Sequence, residues 1–164
     1  MEPCIRTWSG ELFYFLEPEK SKIHIEDIAY ALAHICRFNG HTSDFYSVAQ
    51  HSVRVSEFLP KRLAFEGLMH DAAEAYLGDV ASPLKQLLPD YKKLELSVEK
   101  VIFKQFGIEF PLDPKVKEAD RALLLGEQRD LMGLEIHIPE VPMVKHLTPK
   151  GAMELFLKRY EELT

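Results

Sequence analysis

Apolar residues recur at helical spacing along most of this chain, and glycine or proline separates one such stretch from the next. A clear example lies at 25–40, where the apolar residues on one helical face are Ile25, Ile28, Ala29, Leu32 and Ile35. Gly40 is predicted to end that helix. Helices with one apolar face are stable when they pack on each other, so the sequence predicts an all-α bundle. The N-terminal segment at 5–16 differs and predicts two short strands around a turn.

Capping residues indicate where the next helices begin and end. Ser43 or Ser47 is expected near the start of a second helix, which Pro60 ends. A third helix is predicted from Pro60 to Gly78. The amphipathic stretch at 89–107 predicts a fourth.

Two dipeptides combine an N-cap residue with a proline at the first helical position. Asp113-Pro114 and Thr148-Pro149 therefore predict the starts of a fifth and a sixth helix. The segment between them at 135–147 contains two prolines and is expected to be a loop.

The length and composition fit a single globular domain at 1–164. We expect its hairpin at 5–16, the site-bearing helices at 25–133 and the last helix at 149–163. The net charge of -6 argues against coating a nucleic-acid polymer. Two cysteines, the absence of a basic, apolar N-terminus and the lack of a long apolar run predict a cytoplasmic protein without a membrane anchor.

Four titratable side chains occupy one largely apolar segment, GLMHDAAEAYLGD at 67–79. His70, Asp71 and Glu74 fall at neighbouring positions if the segment is helical, and Asp79 follows the glycine that ends it. Burying carboxylates beside imidazole is costly unless something pairs with them. A divalent cation is a suitable partner for clustered His and Asp.

Two other helices offer further ligands. His51 lies among valines on the preceding helix, and Asp120 lies in an otherwise apolar helical stretch. Each could be a polar residue of the core whose hydrogen bonds are satisfied within the protein. Together with His70 and Asp71 they favour a metal site shared by three helices over a purely structural helical domain.

The pattern His…His-Asp…Asp resembles the HD-domain metal-dependent phosphohydrolases. The resemblance extends to the phage and prophage branch, which is related to bacterial 5'-deoxynucleotidases and phage dATP triphosphohydrolases. It covers about residues 5–130. The segments that carry it are RFNGH, FYSVAQHSV, LMHDAAEAYLGDVASPLKQLLPDYK and VKEAD. It implies an all-α HD-domain bundle.

By this resemblance the metal ligands are His51, His70, Asp71 and Asp120. Two imidazoles and two carboxylates suit a divalent transition metal, namely Mn, Co, Fe, Ni or Zn, better than calcium. A second ion such as Mg is compatible with this set.

The remaining site residues follow from the same resemblance and from position. We hypothesise that Glu74 is the general acid-base, and the resemblance places Asp79 by the substrate and the attacking water. Arg37 would bind phosphate and Phe38 would stack on the base. Lys85 could reach an anionic tail, although it could equally be a surface lysine.

These residues are compatible with two related reactions. One releases phosphate from a deoxynucleoside monophosphate, and the other releases tripolyphosphate from a triphosphate such as dATP. Both break the bond at the nucleoside-proximal phosphorus. The alternative is a non-catalytic module that senses nucleotides or binds a protein. The expected partners are a deoxynucleotide and further copies of the chain, in a dimer or larger homo-oligomer.

Overall fold

The computed structural model describes residues 2–164, which are mostly helical, with a small antiparallel hairpin near the N-terminus. The prediction of an all-α fold with an N-terminal hairpin is confirmed. Strands β1 (Cys4–Arg6) and β2 (Leu12–Tyr14) pair so that Ile5 lies opposite Phe13. The α-helices over the described residues are α1 (Ile25–His34), α2 (Val48–Phe58), α3 (Ala64–Met69), α4 (Glu74–Leu77), α5 (Ser82–Lys85), α6 (Pro89–Gln105), α7 (Pro114–Met132) and α8 (Pro149–Leu163).

Three of the predicted helix starts are confirmed by their caps. The side chains of Ser47, Asp113 and Thr148 each accept a hydrogen bond of 3.0–3.1 Å from a backbone N–H in the first turn of α2, α7 and α8. Among the described residues, no helix combines the length and the apolar character that crossing a bilayer requires.

The helix predicted at 25–40 is shorter than expected, because α1 already ends at His34. The chain becomes extended there, and Cys36 forms an isolated antiparallel bridge with Ser47. Two backbone hydrogen bonds to the segment that leads into α2 replace the helical ones. A short 3₁₀ turn follows at Arg37–Gly40. Helical spacing cannot reveal this ending, because the competing hydrogen bonds come from a segment distant in sequence.

The single helix predicted from Pro60 to Gly78 is also interrupted. A 3₁₀ turn leads into α3, and a tight turn at 70–73 separates α3 from α4. In that turn backbone N–H groups bond to the carbonyl three residues back, as between Glu74 and Asp71 at 3.0 Å. The short helix α5 was not predicted.

Helix α2 lies at the centre of the fold and packs against α1, α3, α7 and α8. Its apolar side chains enter two adjacent parts of the core: Val53 lies in the larger and Val55 in the smaller. His51, on the same helix, is completely buried.

Gly67 allows α3 to lie close to α2. A Cβ atom at this position would lie 2.5 Å from Leu59 Cδ1 and 3.2 Å from the backbone Cα of Ser56. With glycine in place, the rings of His70 and His51 approach to 5.3 Å between centroids. The small residue therefore sets the distance between the two helices that carry the imidazoles.

We predict that Gly67→Ala lowers the free energy of unfolding by about 1–3 kcal/mol, because the added methyl overpacks the α2–α3 contact. Urea unfolding followed by circular dichroism would measure this. Gly151→Ala is the matched control, since its Cβ would come no closer than 3.4 Å to Thr148 Oγ1. Equal losses of stability in the two variants would contradict the close-approach role of Gly67.

Candidate metal centre

Imidazole and carboxylate side chains from three separate elements converge beside α2. His51 comes from α2, His70 from the turn after α3, and Asp120 from α7. One ligand atom of each lies within 4.8 Å of the others, so this group could hold a metal ion. His51 Nε2 is 3.0 Å from Asp120 Oδ1. The structure thus brings together three of the four residues expected to share a metal.

The fourth expected ligand, Asp71, lies beside this group. Its Oδ2 atom is 3.1 Å from His70 Nε2 and 3.8 Å from His51 Nε2. Arg37 Nη1 lies 3.9 Å from the same oxygen. His70 and Asp71, in the turn that follows α3, therefore both lie beside the imidazole of α2.

Both imidazoles are oriented as metal ligands are, by a hydrogen bond at Nδ1. His70 Nδ1 donates to the carbonyl of Gly67 at 2.8 Å, and His51 Nδ1 donates to a carboxylate oxygen of Glu127 at 2.6 Å. The two Nε2 atoms are buried and have no aligned hydrogen-bond partner among the described residues. Histidine ligands are oriented in this way, by a hydrogen bond at the nitrogen opposite the metal. The donor set therefore fits a divalent cation.

The electrostatics of the group favour positive charge. Burial disfavours an imidazolium at His70, but the Asp71 carboxylate outweighs it and raises the pKa of His70 to about 9. Burial likewise opposes charge on Asp71, yet His70 and His51 hold the pKa of that carboxyl well below its usual range. A cation among these side chains would meet carboxylates that are already ionised.

Sequence reasoning missed Glu127, which organises the surroundings of the group. Its side chain is completely buried and accepts hydrogen bonds from His51 Nδ1, from the Tyr46 hydroxyl at 2.7 Å and from Arg37 Nε at 3.0 Å. Burial opposes its charge, but His51 and Arg37 lower the pKa of Glu127 to about 2. Its position two helical turns after Asp120, on the same face of α7, was the available signal.

A cleft of about 440 Å³ opens in front of the group. Its walls come from the turn after α1, from α4 and α5, and from α7. The predicted site residues that line it are Arg37, Phe38, Asp71, Glu74, Asp79, Lys85 and Asp120. His51 and His70 lie behind this wall, each with little exposed side chain.

The 3₁₀ turn after α1 presents Arg37 and Phe38 to the cleft in an unusual backbone conformation. Phe38 and Asn39 both have left-handed φ angles, +56° and +52°. This conformation is strained for a bulky residue, and such strain is concentrated at functional sites. The Arg37 guanidinium lies 5.3 Å from the centre of the Phe38 ring.

Glu74 is buried in the cleft wall without full hydrogen bonding. Its side chain is 9% exposed, and Oε2 has no hydrogen-bond partner among the described residues. Burial, followed by the charges of Asp71 and Asp79, raises the pKa of Glu74 well above its usual value. Burial also raises the pKa of Asp79. Both carboxyls therefore hold a proton more readily than exposed acids do.

Lys85 reaches the cleft, but its ammonium group is already paired there. It forms an ion pair with Glu95 on α6 and lies 3.8 Å from Glu74 Oε1. It also lies 5.9 Å from the centre of the Tyr91 ring. Lys85, which could reach the anionic tail of a substrate, therefore already has two carboxylate neighbours.

The fold and this group define a helical protein with a candidate histidine–aspartate metal centre. No protein-family model matches the chain. The uncharacterised protein YfdR of Escherichia coli is 44% identical over 98% of this chain and 95% of its own length. The chain therefore belongs to the family of YfdR. An uncharacterised protein of Rhodobacter capsulatus is 35% identical over 71% of this chain and 65% of its own length.

A shorter similarity involves a protein with a named activity. A 5'-deoxynucleotidase of Photobacterium profundum is 36% identical over 58 residues, which is 33% of this chain and 30% of that protein. The match covers a minor part of both chains.

We predict that Glu127→Gln weakens the binding of Mn²⁺ or Co²⁺ by about 10–100-fold, because the His51 imidazole loses its anionic partner. Isothermal titration of the metal-stripped protein would measure this. Glu118→Gln, at an exposed position of the same helix, is the matched control and should bind as the unchanged protein does. Equal affinities for both variants would contradict the orienting role of Glu127.

Proposed function

We propose that this chain is a metal-dependent phosphohydrolase of the HD-domain superfamily, formed by one domain and acting on deoxynucleotides. One observation carries the proposal: the Nε2 atoms of His51 and His70, each oriented by a hydrogen bond at Nδ1, converge with Asp120, which lines the cleft. The partial similarity to a 5'-deoxynucleotidase supports the same reaction class.

In this proposal His51, His70, Asp71 and Asp120 hold a divalent transition metal. Two imidazoles and two carboxylates suit Mn, Co, Fe, Ni or Zn. When bound, such an ion lowers the pKa of water and polarises a phosphoryl group. The chain's own contribution is to orient both imidazoles, through the Nδ1 hydrogen bonds, and to keep both carboxylates ionised.

Glu74 is proposed as the general acid-base, and Asp79 as a second carboxyl beside the reacting phosphate. Burial and the neighbouring carboxylates keep a proton on Glu74, which it can give to the departing 5'-oxygen. Lys85, 3.8 Å away, limits how far that pKa rises. The unpartnered Oε2 atom leaves one carboxyl oxygen available for this transfer.

Arg37 and Phe38 are proposed to bind the nucleotide. Phe38 offers an aromatic face at the cleft wall, on which a base can stack. Arg37 is held rigidly by Glu127, so it presents its remaining N–H groups without further ordering.

The charge in the cleft favours a monophosphate substrate over a triphosphate. Among the described residues that line it, the cations are Arg37 and Lys85, and each already has a carboxylate partner, Glu127 or Glu95. A triphosphate would bring two more phosphates to a cleft whose described lining offers no further cation to pair with them. We therefore infer that the chain removes the 5'-phosphate of deoxynucleoside monophosphates.

Product analysis tests this function. Metal-stripped protein would be supplied with Mn²⁺ or Co²⁺ and offered the four common deoxynucleoside monophosphates and triphosphates, with products separated by ion exchange. We expect deoxynucleoside and phosphate from monophosphates, with kcat/KM about tenfold or more above that for triphosphates.

Release of tripolyphosphate from triphosphates would contradict the monophosphate preference but retain the hydrolase. Absence of turnover while the ion is bound would contradict the hydrolase and favour a nucleotide-sensing module.

We predict that Glu74→Gln lowers kcat by about 10²-fold or more, because the amide cannot transfer the proton. Its metal content should equal that of the unchanged protein, since Glu74 is not among the proposed ligands. Elemental analysis and steady-state kinetics would be run beside Glu118→Gln as the control. Near-normal turnover by Glu74→Gln would remove this residue from the mechanism.

A further inference from the structure

A second pocket lies on the other side of α4 from the proposed active site. It has a volume of about 290 Å³ and is enclosed by the hairpin turn, α1 and α4. It shares no lining residue with the cleft, because Glu74 lines the cleft whereas Ala75 and Tyr76 line this pocket. We refer to it as the hairpin pocket.

One wall of the hairpin pocket is an aromatic stack. Trp8 in the hairpin turn lies on Tyr30 of α1, with ring centroids 4.9 Å apart and planes 15° from parallel. Tyr30 in turn stacks on His34 at 4.2 Å. Trp8 nevertheless remains 59% exposed. The stack fixes a large aromatic surface in place while leaving much of it accessible.

The hairpin turn is held rigidly against α1. Asp27, which is 3% exposed, accepts hydrogen bonds of 2.7 Å from both the backbone N–H and the hydroxyl of Ser9. Both carboxylate oxygens are thereby engaged. Trp8 and the pocket are consequently formed before any ligand arrives.

Tyr76, which lines the hairpin pocket, carries a buried hydroxyl. Tyr76 is 6% exposed, and its ring is fixed by stacking on Phe13 at 3.9 Å between centroids. Its hydroxyl is buried and has no hydrogen-bond partner among the described residues. A buried donor without a partner reduces stability, so native structures keep few of them. A ligand with an acceptor atom would satisfy this one.

We propose that the hairpin pocket binds a planar heteroaromatic ring that has a hydrogen-bond acceptor, of the nucleobase type. The ring would stack against the Trp8 wall, and its acceptor atom would accept a hydrogen bond from the Tyr76 hydroxyl. Arg6, an exposed residue at the pocket edge, would lie near any phosphate attached to such a ring. This site is separate from the proposed active site and does not depend on the hydrolase function.

The single tryptophan of the chain makes this proposal directly measurable. Fluorescence of Trp8 would be followed while 2'-deoxyadenosine, 2'-deoxyguanosine, thymidine or 2'-deoxycytidine is added to the full-length protein in EDTA. We expect saturable quenching by at least one of these nucleosides. Absence of saturable quenching by all four at millimolar concentration would overturn the proposal.

Substitutions locate the binding. Tyr76→Phe removes only the hydroxyl and should weaken binding by about tenfold, whereas Tyr160→Phe, on α8, should not change it. The unfolding midpoint of Tyr76→Phe should equal or exceed that of the unchanged protein, because an unpaired group is lost. Ala31→Leu fills the pocket from α1 and should abolish quenching, and it provides a second variant if Tyr76→Phe folds poorly.

Phe38→Leu separates the hairpin pocket from the cleft. Quenching that this variant abolishes, and that Tyr76→Phe leaves intact, would assign the binding to the cleft and overturn the proposal. If neither Tyr76→Phe nor Ala31→Leu alters the quenching, the nucleoside only stacks on the exposed face of Trp8. That result would also overturn the proposal that the hairpin pocket binds it.

Discussion

The buried carboxylate of Glu127 is the interaction on which the geometry of the site depends. It accepts hydrogen bonds from His51, Tyr46 and Arg37, so it joins α7 to α2 and to the turn after α1. An ionised carboxylate in an apolar core is costly unless such donors surround it. Two of these donors are site groups. Through its bond to Glu127, the His51 imidazole keeps Nε2 beside Asp120, and the Arg37 guanidinium is held at the cleft. Stability and site geometry therefore rest on the same buried charge.

The tight turn at 70–73 provides the second half of the arrangement. His70 and Asp71 both lie near the imidazole of His51: the two rings are 5.3 Å apart between centroids, and Asp71 Oδ2 is 3.8 Å from His51 Nε2. The carbonyl of Gly67 holds His70 from behind, and the missing side chain of that glycine lets α3 approach α2. The close packing of α3 on α2 and the hydrogen bond to Gly67 thus set the position of His70.

Local signals predicted the features that depend on nearby residues. The caps at Ser47, Asp113 and Thr148 are formed within one helical turn, so their sequence patterns were sufficient. The end of α1 at His34 depends on pairing between Cys36 and Ser47, which no local pattern encodes.

The same distinction applies to the site. His51, His70, Asp71 and Asp120 stood out as polar residues on apolar faces, and the structure brings them together. The role of Glu127 depends on partners from α2 and from the segment that precedes it in sequence, which a helical pattern does not reveal. The pairing of Lys85 with Glu95 likewise depends on how α5 packs on α6. The resemblance to the phage and prophage branch stays a prediction.

We propose that His51, His70, Asp71 and Asp120 share one divalent cation. Crystals grown with Mn²⁺ would test it through an anomalous difference map. We expect a strong peak within about 2.0–2.3 Å of both Nε2 atoms and of a carboxylate oxygen. A map without a peak between the imidazoles, or with Mn²⁺ bound only elsewhere on the chain, would contradict it.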